Sequence, residues 1–181
     1  MKKLFVVIII ALLVAPVQAQ FNKARLQATG LTCAMCSNAI YKALKTVPFI
    51  DSVEPDIKNS AFDIVFKENE EVNIDALKDA VEDAGFSVGN LLLTGNFREV
   101  KLEKDKHVLI GKNYFHFLGS KTQTLNGEAT IHLADKDFVT TKEFKKISSL
   151  TKMSCLQSGK AESCCTSEGI PAEARIYHVT I

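Results

Sequence analysis

Apolar positions fall into two different rhythms along this chain. Ala24, Leu26 and Ala28 alternate with polar neighbours, the period of a strand with one buried face, and Gly30 stops the run. Ile40, Ala43, Leu44 and Val47 recur at helical spacing, and Pro48 ends that stripe. Phe62, Ile64 and Phe66 alternate again. Ile74, Leu77, Val81 and Ala84 make a second helical stripe, with Asn73 placed to cap its start and Gly85 just past its end. Short strands over 52–57 and 86–93 complete the order βαββαβ. That order predicts an α+β, ferredoxin-like sandwich over residues 21–94, each helix covering one sheet.

Beyond residue 97 the pattern changes. Segments 108–110, 114–118, 129–133 and 175–181 are rich in β-branched and aromatic residues and read as strands. One helix fits 141–150, and the small polar residues of 158–169 read as a loop. The expectation is a second, mostly β domain over 97–181, a small barrel of the OB type. The sequence holds no internal repeat, no Gly-rich phosphate loop and no Ser/His/Asp set.

The start of the chain reads as an address. Met1-Lys2-Lys3 is basic, eleven apolar residues follow from Leu4 to Val14, and small residues precede a cut after Ala19. This is the three-part pattern of a secretory signal peptide over 1–19, its apolar run too short to span a bilayer. The expectation is a periplasmic or secreted protein with no stable membrane span after cleavage. Such a compartment is oxidising, so each thiol needs a reason to persist.

Composition narrows the function. A chain of 181 residues with 46% hydrophobic and 24% charged residues is globular, not disordered. A net charge of +1 lacks the basic excess that nucleic acid demands.

The chemistry sits in Gly30-Leu31-Thr32-Cys33-Ala34-Met35-Cys36, between the first strand and the first helix. Cys36 lies four residues before Ile40 and Cys33 seven, so both thiols continue the helix's inner stripe. A helix N-terminus favours a thiolate through its unpaired N–H groups and its dipole. Two thiolates at one point suit Cu(I), Hg(II) or another soft ion, whereas structural zinc asks for four ligands.

These residues resemble the heavy-metal-associated domain of copper chaperones, copper-transporting ATPases and the periplasmic mercury-binding protein. The family pattern is Gly-Met-Thr-Cys-x-x-Cys in a βαββαβ fold; Leu31 stands where Met is usual. The resemblance continues through Val81-Glu82-Asp83-Ala84-Gly85-Phe86. It implies Cys33 and Cys36 as metal ligands, with Thr32, Met35 and Phe86 around them. It also implies a non-enzymatic role in metal trafficking or detoxification, with copper(I) ahead of mercury(II). The partner would be a metal transporter or another metal-binding domain. The rival class is a thiol–disulfide oxidoreductase, but the Trp-Cys-Gly-Pro-Cys setting of that class is absent.

A second group, Cys155, Cys164 and Cys165, flanks the polar loop. The reading favours a disulfide from Cys155 to Cys164 or Cys165 over a second metal site. His107, His116, His132 and His178 are read as surface or satisfied core residues.

Overall fold

The computed structural model describes residues 20–31 and 33–181, apart from the side chain of Cys164. The expected signal peptide and Thr32 lie outside the described residues. The first half runs β1 (Gln20–Thr29), α1 (Ala34–Lys45), β2 (Ile50–Asp56), β3 (Ala61–Phe66), α2 (Ile74–Asp83) and β4 (Ser87–Leu102). The second runs β5 (His107–Ile110), β6 (Asn113–Phe117), β7 (Gln123–Leu133), α3 (Thr141–Ile147), α4 (Cys155–Ser158), α5 (Ser163–Thr166) and β8 (Ile176–Thr180).

Local signals explain the first half. The Asn73 side chain accepts a hydrogen bond from Ala76 N–H at 3.2 Å and starts α2. Gly85, with φ +86°, ends the helix in the left-handed region that glycine enters without strain. Ile40 and Leu44 of α1 and Ile74, Leu77 and Val81 of α2 are buried against the sheet. Strands β2-β3-β1-β4 pair antiparallel in that order, the ferredoxin-like arrangement.

The second half departs from expectation. An eight-stranded sheet, ordered β2-β3-β1-β4-β7-β8-β6-β5, takes the place of the expected OB-type barrel. Strand β4 carries the continuation: it is 16 residues long and runs unbroken past residue 97. Its residues 87–96 pair with β1 and its residues 92–102 with β7. Leu91, Leu93 and Phe97 keep one inward phase, which shifts at the irregularity between Phe97 and Val100 before Leu102 is buried again. The edge that a ferredoxin-like sheet would leave open at β4 is thereby paired.

Gly95 and Asn96 look like a break in the sequence, yet they sit inside the strand. A Cβ at Gly95 would lie 2.8 Å from the Gln20 carbonyl oxygen and 3.0 Å from Phe21 Cδ1. Glycine here admits a close approach of β1 rather than a turn.

One core therefore spans both halves. Phe21 of β1 packs against Phe97 of β4 (centroids 6.1 Å apart) and Phe115 of β6 (5.7 Å); Phe115 in turn meets Tyr177 of β8 at 5.5 Å. Phe97 is fully buried at one end of that chain of rings. Phe97→Ala should cost about 3–5 kcal/mol, seen as a lower urea midpoint at unchanged slope.

A polar clasp joins the halves as well. The Arg175 guanidinium donates to Asp75 of α2 at 3.0 and 3.2 Å and to Asp135 at 3.2 Å. It lies 4.2 Å over the Tyr177 ring, whose hydroxyl donates to Asp75 at 3.1 Å. Burial, with the Asp75 charge, pushes the Tyr177 phenol above its ordinary range.

Candidate metal centre

Cys33 is the N-cap residue of α1, with extended backbone angles (φ −156°, ψ 162°). Its carbonyl accepts from Cys36 N–H at 3.1 Å and from Ser37 N–H at 3.4 Å, closing the first helical turn. The turn brings Cys33 Sγ and Cys36 Sγ to 2.9 Å, with Cys33 exposed and Cys36 half-buried. The first turn carries no acidic residue that would repel a thiolate, and Lys42 and Lys45 sit in the last turn.

The loop before the helix is shaped by Gly30, whose φ of +82° lies in the left-handed region. A side chain there would be strained even though Phe86 Cδ1 lies 3.9 Å from its would-be Cβ. Leu31 and Phe86 are both half-buried and pack against the core. Met35 is 83% exposed and contributes no packing at the thiol pair. Among the described residues, no histidine, carboxylate or further cysteine joins this pair in a three-ligand cluster.

Two adjacent sulfurs at an exposed helix N-terminus form a donor pair whose chemistry suits a soft ion. Comparison with known proteins agrees. The heavy-metal-associated domain family matches residues 25–87. The periplasmic component of the mercuric transport protein of Salmonella typhi is 33% identical over 86 residues, covering 48% of this chain and 93% of that protein. The probable copper-transporting ATPase HMA5 of Arabidopsis thaliana is 34% identical over 65 residues, or 36% of this chain. That match spans 6% of the ATPase's length. Among solved structures, a copper binding domain from HMA7, a P-type ATPase, is 34% identical and covers 37% of this chain and 89% of that one, with a TM-score of 0.34. The chain belongs to the heavy-metal-associated domain family. No helix among the described residues is long and apolar enough to cross a membrane.

The second cysteine group lies elsewhere. Cys155 opens α4, and Cys164 and Cys165 lie in α5. Cys155 and Cys165 are both fully buried, in one apolar cluster with Ile170 and Ile176.

The histidines hold the feature that the sequence reading missed. His107 of β5 pairs in register with His116 of β6, and His116 with His178 of β8. Residues in register on neighbouring strands share a face, so three imidazoles stand in a row. Ring centroids are 5.1 Å apart for His107 and His116, and 5.4 Å for His116 and His178. Burial, with His178 and His107 adding to it, pushes the His116 imidazole down to about 3. Burial lowers His107 too, against the opposing pull of Glu168. His132 stands apart, 4.0 Å from Glu143 Oε1. The register of strands joined by long connections is not written in any local pattern.

Proposed function

We propose that this protein captures a soft cation, Cu(I) foremost, through the thiolates of Cys33 and Cys36, and passes it on in metal trafficking or detoxification. The observation that carries this reading is the meeting of the two sulfurs at an exposed helix N-terminus. Soft thiolates select monovalent copper and its thiophilic neighbours over hard ions. Exposure of Cys33 lets an incoming thiolate attack the bound ion, so exchange with a metal transporter or another metal-binding domain is the natural exit. Export to the periplasm or beyond, with loss of residues 1–19, fits the basic and apolar start of the chain. The mercuric relatives, matched over 93% of their length, favour Hg(II) as the second cargo.

Thr32, Met35 and Phe86 surround the site in this reading without ligating. Met35→Ala should leave Cu(I) affinity within about twofold, because so exposed a side chain contributes little. Competition with a chromophoric Cu(I) chelator measures this.

The test of the function is titration of the reduced full chain with Cu(I) and separately with Hg(II), counting thiols before and after. One tightly held equivalent that masks Cys33 and Cys36 is expected. The same protein should show no multiple turnover in reduction of a standard disulfide. Turnover that disappears in Cys33→Ser would make it an oxidoreductase instead.

A further inference from the structure

We propose a second metal centre, built from His107, His116 and Cys155 with His178 beside them, that takes a borderline transition ion such as Zn(II). One ligand atom from each of His107, His116 and Cys155 lies within 4.8 Å of the others. The His178 Nε2 atom is 3.4 Å from Cys155 Sγ, beside that trio rather than within it. Two imidazoles and one thiolate make a mixed nitrogen–sulfur set of the kind that holds Zn(II), with the fourth position left to His178 or to water.

The second observation is what the imidazoles lack. The His116 residue is 1% exposed, the His107 side chain is 1% exposed, and both nitrogens of each ring are buried without a hydrogen-bond partner. Glu168 Oε1 approaches His107 Nδ1 at 3.4 Å without reaching hydrogen-bond geometry. Buried polar atoms are nearly always satisfied, and each orphan is destabilising. Two adjacent buried rings without partners point to an ion that accepts one lone pair from each.

The third observation is an orienting carboxylate. Asp135 Oδ1 lies 2.7 Å from His178 Nδ1, and Arg175 holds the other oxygen of the same carboxylate. The imidazole so held turns Nδ1 to Asp135 and Nε2 to Cys155. Carboxylate support of this kind is the usual outer partner of a metal-bound histidine. The Cys155–His178–Asp135 line also has the order of a cysteine nucleophile and its base. Yet Cys155 is fully buried, and that role leaves the orphaned nitrogens of His107 and His116 unexplained.

Ion entry is a simple exchange: the metal binds the sulfur and nitrogens, and the Cys155 thiol proton leaves to solvent. This centre shares no residue with the Cys33/Cys36 pair, and its test removes that pair first.

The experiment uses the full chain carrying Cys33→Ser and Cys36→Ser, reduced and stripped of metal. Titration with Co(II) should saturate at one equivalent, with intense tetrahedral d–d bands and a thiolate charge-transfer band, both displaced by Zn(II). Adding Cys155→Ser should remove the charge-transfer band, and adding His116→Gln should weaken binding at least about 100-fold. One equivalent of Zn(II) should also raise the Tm of the parent double variant, a readout that stands even where His116→Gln does not fold. Absence of both saturable Co(II) binding and a Zn(II)-induced Tm rise would overturn the proposal. So would full binding in a folded His116→Gln variant, or peptide mapping that finds Cys155 in a disulfide with Cys164 or Cys165 in the freshly isolated protein.

Discussion

Replacing either Cys33 or Cys36 with Ser is expected to weaken Cu(I) binding at the first site by about a thousandfold or more. A two-sulfur site has little spare ligation, since no histidine, carboxylate or further cysteine clusters with the pair among the described residues. Serine offers a harder oxygen that a d10 monovalent ion binds poorly. A thousandfold is about 4 kcal/mol, a modest figure for one of two metal–thiolate bonds. The fold should survive, because Cys33 is exposed and its backbone angles suit any residue. Competition titration against a Cu(I) chelator, with circular dichroism on the same samples, separates lost binding from lost structure. Affinity unchanged in both single variants and in the double variant would remove the site from these cysteines.

The other large effect concerns stability. Arg175→Met should destabilise the protein by about 3–5 kcal/mol, because it strands the Asp135 carboxylate, whose side chain is only 7% exposed. Asp75, at 35% exposure, loses less because water can replace the guanidinium. Methionine keeps much of the apolar stem over Tyr177, so the loss reports charge rather than volume. Asp135→Asn in the Arg175→Met background should recover part of the stability by removing the stranded charge. Urea denaturation of the single and paired variants checks this; equal stability of wild type and Arg175→Met would show the clasp to be idle.

Much of the first half was legible in the sequence because its signals are local. The stripe from Ile40 to Val47, the Asn73 cap and the Gly85 stop each act within one helix, and all three are realised as expected. The thiol pair was legible for the same reason: three residues and a helix start bring Cys33 and Cys36 together.

The extent of the sheet was not legible. Gly95-Asn96 carries the composition of a turn, while its actual role depends on how closely Gln20 and Phe21 approach. The last strand illustrates the same limit. Strand β8 lies parallel to β6 and antiparallel to β7, after a connection that holds all of α3, α4 and α5. Which residues face each other across such a connection is decided by the packing of Phe115 and Tyr177 on one side of the sheet. That same register puts His116 and His178 together on the other side, so the histidine row follows from a core contact. The short Gly111-Lys112 turn sets His107 opposite His116 locally, but no spacing along the chain announces His178 beside them.

The central claim is that the first ion to bind is held by sulfur at Cys33 and Cys36. X-ray absorption of the reduced full chain loaded with one equivalent of Cu(I) tests it most directly. A first shell of two sulfur atoms, without imidazole scattering, is the predicted result. A nitrogen-dominated shell, unchanged in the Cys33→Ser/Cys36→Ser variant, would contradict it.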